Sequence, residues 1–423
     1  VKAIILAAGK GERLFPLTAT RPKPLMPVAG RPVISYVVEA LKSVGISEVV
    51  VVVNYMKDMV KSYFSAERGL KVHFVEQSQT LGTANAILCA REHIDGDVLV
   101  IYGDLYVEAS AVENLVKEYE SKKPDLLVAS CYMEKPQQFG LLKVSDNGSV
   151  VDVVEKPEEP VPGYINAGIY IFNEEMLKYL EKTPLNPERS QYEFTDTMKL
   201  VINDGRSILH YPLSHDEWLD IGRPWDILEA NKRALSKMQS SEIKGTVEKG
   251  ATILGPVHIG EETVVRSGSY IVGPVYIGKN CDIGPNCFIR PYTSIGDHVR
   301  IGNAVEIKAS IVMSGAHIAH LSYVGDSIIG ENCNLGAGTI TANLRFDDKT
   351  VKVKIKGEVV DSGRRKLGVI MGDNCKTGIN VSIMPGVKVG PNSWIGPGLV
   401  VYEDVAPNTF ILVRHLEFRK LGK

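Results

Sequence analysis

The chain has no charge excess, no metal-binding cysteine pattern and no apolar run long enough to cross a bilayer. A formal net charge of −2 over 423 residues argues against a general nucleic-acid or membrane-surface role. The six cysteines, Cys89, Cys131, Cys281, Cys287, Cys333 and Cys375, form no CxxC pair and no paired-histidine zinc spacing. The apolar run that opens the sequence, Val1 to Leu6, is too short for a signal peptide or a spanning helix, which leaves the cytoplasm as the expected compartment. The first glycine loop, Gly9-Lys10-Gly11-Glu12-Arg13-Leu14, also lacks two things. Leu14 stands where a dinucleotide fingerprint has its third glycine, and no P-loop Lys-Ser/Thr pair follows.

What is present is a period. An aliphatic residue returns every sixth position at Ile277, Ile283, Ile289, Ile295, Ile301 and Ile307, and glycine follows four of them. The rhythm resumes at Ile329-Gly330 and Leu335-Gly336, then at Thr377, Ile383, Val389 and Ile395. A hexad period marks a parallel β-helix in which one aliphatic side chain per short strand points inward. The following glycine is expected to let the chain turn a corner. Cys281, Cys287, Cys333 and Cys375 share one register of this repeat and read as small packing residues.

The first half shows no hexad. Apolar runs at 3–8, 48–53, 69–75 and 97–102 read as strands and 33–44 as an amphipathic helix, predicting a mainly parallel sheet with helices on both faces. Ligands in such sheets bind beyond the carboxyl ends of the strands. The first such end carries Leu6, Gly9, Gly11 and Arg13. The two glycines let backbone N–H groups approach an anion, and the arginine supplies a forked cation. A tight turn would use the same glycines. Arg21-Pro22-Lys23-Pro24 then adds two more cations fixed by prolines.

Leu6 to Arg13 followed by Arg21-Pro22-Lys23-Pro24 resembles the signature of sugar-1-phosphate nucleotidylyltransferases, nearest the thymidylyltransferase and bacterial uridylyltransferase branches. The resemblance continues for about 240 residues. It implies base reading by Gln77, Gly82 and Thr83, and metal binding by Asp104 of Tyr102-Gly103-Asp104. It further implies sugar contacts at Gly140, Glu155 and Asn166, a sugar-phosphate contact at Lys156, and a second metal ligand at Asp220 of Trp218-Leu219-Asp220-Ile221-Gly222. In the implied reaction a sugar phosphate attacks the α-phosphorus of UTP or dTTP and pyrophosphate leaves. Arg13 and Lys23 would hold the triphosphate, and the two aspartates would hold Mg²⁺. The sugar phosphate is already ionised, so no general base is required. Asp220 as a helix N-cap and Lys156 as a solvated loop charge are the plainer alternatives.

The repeat half carries residues that a β-helix does not need. Arg290-Pro291, Glu306-Ile307-Lys308, the segment 319–326 and the segment 334–343 resemble, in order and spacing, the acetyltransferase domain of bifunctional glucosamine-1-phosphate acetyltransferase/N-acetylglucosamine-1-phosphate uridylyltransferases. Both latter segments are read as interruptions of the hexad. The resemblance implies a general base at His320 and sugar-phosphate binding by Arg290 and Lys308. It assigns sugar contacts to Tyr323 and Asn334, a contact to substrate or to the acetyl group to Asn343, and acetyl-CoA binding to Ala337. Where that family commonly has tyrosine after the last asparagine, this chain has Leu344. A basic segment follows and reads as an inserted hairpin near 344–368, either a lysine-protected edge or a route for Lys349 or Lys352 to reach substrate. In the tail, Arg414 or Arg419 would meet coenzyme A phosphates.

The resulting expectation is an α/β Rossmann-like nucleotidyltransferase domain, residues 1–240, followed by a left-handed parallel β-helix of hexapeptide repeats, residues 241–423. The chain would act as a bifunctional enzyme with Mg²⁺ as cofactor and UTP or dTTP, acetyl-CoA and sugar phosphates as substrates. Resemblance implies a homotrimer through the β-helix. Nucleic acid and membrane are not expected as partners. The alternative is a nucleotidylyltransferase whose β-helix serves assembly or regulation. A scaffold built from degenerate copies of both domains is disfavoured by the intact Gly9, Arg13, Lys23, Asp104 and Asp220.

Overall fold

The computed structural model describes residues 2–413, so Arg414 and Arg419 lie outside the described residues. The chain forms two compact units. One holds residues up to Gly11, Arg21–Met26 and Pro32–Ile221; the other holds Glu12–Thr20, Pro27–Arg31 and the residues from Gly222 onward.

In the first unit a sheet runs in the order Val150–Glu155, Gly140–Val144, Gly163–Phe172, Val98–Tyr102, Lys2–Ala7, Glu48–Val53, Lys71–Glu76. The strands Lys2–Ala7, Glu48–Val53, Lys71–Glu76 and Val98–Tyr102 are parallel. Val49 to Val53 are all buried, which is why that strand reads as an unbroken apolar run. Helix Ile34–Ser43 buries Ile34, Val37, Val38 and Leu41. The expected parallel pairing holds for this half and for Ile208–Leu213 on Leu126–Met133, but not for the strands between them. Gly163–Phe172 runs antiparallel to Val98–Tyr102, Leu126–Met133 and Gly140–Val144. Antiparallel neighbours need only a tight turn and no crossover helix, and Gly140–Val144 meets Val150–Glu155 through such a turn, closed by Gly148 N–H on Ser145 O at 2.9 Å.

In the second unit short parallel strands stack into three sheets, as a β-helix requires. Ile271, Ile289 and Ile307 lie eighteen apart on one column. Ile307, Val324 and Thr341 are only seventeen apart, and the next step, to Ile383, spans forty-two. The shortening falls between Ile307 and Val312 and between Val324 and Ile329, where five residues replace six. Segment 334–343 therefore does not break the period, because Leu335 and Thr341 keep their columns. The long step contains the antiparallel hairpin Lys352–Ile355 with Glu358–Asp361, which buries Val351, Val353 and Ile355.

Gly284, with φ +102°, turns a corner as expected, but the other hexad glycines do something else. Gly278, Gly296, Gly302 and Gly330 are absent from the positive-φ residues. A Cβ on Gly302 would sit 1.9 Å from the Ala319 carbonyl oxygen of the next coil, and one on Gly330 would sit 2.5 Å from the Gly372 backbone. These glycines permit stacking of coils. Corners are turned by left-handed residues, of which asparagine is the commonest non-glycine type, as at Asn280, Asn332, Asn374 and Asn392, and by other glycines such as Gly268, Gly315 and Gly338. The four cysteines of this register are buried and free. Helix Pro224–Ser236 docks on the solenoid through buried Asn231, whose Oδ1 accepts from Ser294 Oγ at 2.5 Å and whose Nδ2 donates to Tyr292 O at 3.0 Å.

Candidate functional sites

In the first unit Asp104 follows strand Val98–Tyr102, and Asp220 ends strand Trp218–Asp220. The latter pairs antiparallel with Leu105–Val107, placing Asp220 opposite Leu105, next to Asp104. Lys23 sits on the 3₁₀ turn Lys23–Leu25, preceded by extended Pro22. Its ammonium lies 2.6 Å from Asp104 Oδ2 and 3.5 Å from Asp220 Oδ1. Asp104 Oδ1 is buried and accepts no hydrogen bond among the described residues. A buried carboxylate oxygen without a donor, beside a second carboxylate, fits a hard divalent cation. No cluster of three or more metal-ligating side chains occurs among the described residues, so phosphate and water would supply the remaining ligands.

The residues expected on the nucleotide side lie on several elements of the chain. Leu6 is half-buried near the end of Lys2–Ala7, and its carbonyl accepts from Gly103 N–H at 2.9 Å. Gly9 is exposed and faces open space, and Gly11 has φ +63°. Arg13 sits on the 3₁₀ turn Glu12–Leu14. Gln77 is buried; its amide donates to Gly82 O at 3.1 Å and to Asn85 Oδ1 at 2.9 Å. Gly82 has φ +98°, and a Cβ there would meet Tyr192 O at 2.5 Å. Thr83 Oγ1 accepts from Phe194 N–H at 2.9 Å.

A third group gathers Gly140, Glu155 and Asn166. A Cβ on Gly140 would lie 3.0 Å from Glu155 Oε2 and 2.8 Å from Thr195 Cγ2. Asn166 stands where the pairing of Gly163–Phe172 with Leu126–Met133 shifts register; its Oδ1 accepts from Gly168 N–H at 3.0 Å and its Nδ2 donates to Tyr170 OH at 2.8 Å. Lys156 is exposed with φ +48°. Sequence reasoning missed two residues here. Arg189 Nη1 lies 3.7 Å from Glu155 Oε1, and Thr195 Oγ1 donates to Glu155 Oε2 at 3.0 Å. A lone arginine in the loop before helix Phe194–Asn203 was the only available signal. Burial, then the Glu155 carboxylate, raise the Glu193 carboxyl above its ordinary pKa. Burial, with Tyr170 beside it, raises the Tyr102 phenol well above its own.

In the solenoid Arg290 and Lys308 follow Ile289 and Ile307 on successive coils of one sheet, which stacks them at about one strand spacing, roughly 4.8 Å. Arg290 Nη1 pairs with Glu306 Oε1 at 2.8 Å. Lys308 Nζ pairs with Asp326 Oδ2 at 2.8 Å. Asn343 Nδ2 donates to Asp326 Oδ2 at 2.6 Å and to Tyr323 OH at 3.1 Å. Lys308, Tyr323, Asn343 and the previously unassigned Asp326 thus form one network. Burial raises the Tyr323 phenol. His320 and Asn334 lie on the neighbouring sheet, with Ala337 just beyond it. His320 is exposed at the end of strand His317–His320, its carbonyl accepting from Gly338 N–H beside Ala337; Asn334 is exposed on the same sheet, paired with His317. No hydrogen bond joins these three to the Lys308 network among the described residues.

Residues 2–237 match a nucleotidyl transferase family model. Residues 271–363 match a GMPPB C-terminal domain model, and 368–403 a bacterial transferase hexapeptide model of six repeats. A bifunctional protein GlmU of Methanocaldococcus jannaschii is 46% identical, with 99% of each chain covered. A bifunctional sugar-1-phosphate nucleotidylyltransferase/acetyltransferase of Sulfurisphaera tokodaii is 43% identical over 98% of this chain and 100% of that one. The solved structure of a UDP-glucose pyrophosphorylase complexed with UDP-glucose, 23% identical, superposes with a TM-score of 0.51 over 56% of this chain and 98% of that one, a likeness of fold.

Proposed function

The chain belongs to the bifunctional sugar-1-phosphate nucleotidylyltransferase/acetyltransferase family, and we propose that its product is UDP-N-acetylglucosamine or the thymidine counterpart. The observation that carries this reading is the presence of two separate polar centres, Lys23 between Asp104 and Asp220 in one unit and the Lys308 network in the other.

For nucleotidyl transfer, Gly9 and Gly11 offer backbone N–H groups to the triphosphate, and Gln77, Gly82 and Thr83 face the base. Glu155, Asn166 and Gly140 hold the sugar, with Lys156 on its phosphate. A sugar phosphate oxygen attacks the α-phosphorus, and the bond to pyrophosphate breaks. Arg13 and Lys23 balance the charge moving onto the leaving group. Asp104 and Asp220 would hold Mg²⁺, which neutralises phosphate charge when bound. For acetyl transfer, Arg290 and Lys308 bind the sugar phosphate, and Tyr323 and Asn334 the sugar. The amine attacks the thioester carbonyl, the C–S bond breaks, and His320 takes the amine proton. Ala337, beside His320, lies along acetyl-CoA. Exposed His320 and Asn334 on one sheet, with Lys308 and Tyr323 on the next, fit a homotrimer in which neighbouring solenoids complete each site. No helix among the described residues is long and apolar enough to cross a membrane, and the reading places the enzyme in the cytoplasm.

The test supplies glucosamine-1-phosphate, acetyl-CoA, Mg²⁺ and either UTP or dTTP, and follows thiol, pyrophosphate and the sugar nucleotide. Sugar-dependent release of both products is expected. Pyrophosphate release from a sugar phosphate without any sugar-dependent thiol would leave the solenoid an assembly or regulatory module.

A further inference from the structure

Asp326 is 4% exposed and occupies a left-handed corner, φ +48°, where five residues replace the usual six between inward columns. Its Oδ2 serves two partners, the Lys308 ammonium at 2.8 Å and the Asn343 amide nitrogen at 2.6 Å. An ionised carboxylate can only accept, so the side of Asn343 that faces it must be the NH₂. The second amide hydrogen goes to Tyr323 OH at 3.1 Å. Both donors of Asn343 are therefore committed, and its Oδ1 accepts no hydrogen bond among the described residues. Gly325 makes room for this arrangement: a Cβ there would lie 2.4 Å from Tyr323 OH and 2.6 Å from Asn343 Nδ2.

We propose that Asp326 is a positioning residue for acetyl transfer, fixing Asn343 as a hydrogen-bond acceptor for an N–H of the attacking sugar amine while it orients the Lys308 ammonium toward the sugar phosphate. This rests on the acetyltransferase reading of Lys308, Tyr323 and Asn343. It has a consequence for Asn343: with both hydrogens used, that side chain cannot polarise the acetyl carbonyl, and its role is confined to the amine. An acceptor on the amine holds one N–H aside and leaves the nitrogen lone pair for the thioester carbon. The adjacent ion pair keeps the buried charge balanced.

Asp326→Asn is nearly isosteric and removes the charge. Pyrophosphate release by the same polypeptide reports whether the variant is folded. The expected result is a KM for glucosamine-1-phosphate raised about ten-fold or more, with the KM for acetyl-CoA within about two-fold of wild type. In an Asn343→Ala background the same change should cost clearly less than it does in the wild type, because only the Lys308 partner is then left to lose. The exchanged pair D326N/N343D rebuilds the hydrogen bond with a carboxylate oxygen outward, and should fold and recover sugar affinity relative to D326N. An unchanged sugar KM in folded D326N, costs that multiply with N343A, or an exchanged pair that recovers nothing would each overturn the assignment. Absence of sugar-dependent thiol release in the wild type would instead overturn the acetyltransferase reading itself.

Discussion

Lys23, Asp104 and Asp220 have side chains 11%, 22% and 17% exposed, and each comes from a different element of the α/β unit. Arg290 and Lys308, 38% and 20% exposed, come from one element type repeated. The first centre depends on strand ends that converge, and it works in a partly water-excluded place where charges interact strongly. The second depends on arithmetic: one residue per coil falls on the same column, and a shortened corner brings Asp326 under Lys308. A strand-end site tolerates little change at its few converging positions. A columnar site tolerates changes on the column but not changes that alter coil stacking.

The sharpest way to break this comparison is to remove one chemistry at a time. His320→Ala should lower acetyl transfer by about 10²–10⁴-fold and leave pyrophosphate release unchanged, as judged by parallel thiol and pyrophosphate assays. Asp104→Ala should lower nucleotidyl transfer by about 10²–10³-fold, with thiol release intact. Two glycine substitutions sharpen the contrast in stability. Gly302→Ala forces a methyl against the Ala319 carbonyl oxygen and should cost about 1–3 kcal/mol in chemical denaturation. Gly9→Ala meets nothing within 4 Å and should change stability by less than about 0.5 kcal/mol while weakening binding of the nucleoside triphosphate. The smallest effect is at Glu193. Its folded pKa is raised by burial and by Glu155, so the folded state holds the proton more tightly than the unfolded one. Below the unfolded value both states are protonated and nothing is lost; as pH rises past it, ionisation costs stability. Glu193→Gln should therefore raise Tm at neutral pH and leave it unchanged near pH 4, by calorimetry.

Much of this was legible in the sequence because both units announce themselves locally. The hexad column from Ile277 to Ile307 is a direct image of inward-facing stacked side chains, all buried. The strand at 48–53 is valine from Val49 to Val53 because both its faces are covered. The antiparallel half of the first sheet was not legible: strand direction depends on which neighbours pair, and an apolar run carries no sign of it. Apart from Gly284, the hexad glycines were misread because glycine serves both turning and close approach, and only the position of the next coil decides between them. Segment 334–343 looked like an interruption because Thr341 replaced an aliphatic residue on a column it still occupies. Asp326 went unassigned because its partners Lys308 and Asn343 lie eighteen residues before and seventeen after it, a distance that means contact only once coil length is known. Arg189 reaches Glu155 from a loop thirty-four residues on, with no motif to mark it.

The central claim is that one chain carries two independent active centres. Its most direct test measures thiol and pyrophosphate release side by side for the wild type, Asp104→Ala and His320→Ala. The account predicts a crossed result, each variant losing one product and keeping the other. Loss of both products in either folded variant, or retention of thiol release by His320→Ala, would contradict it.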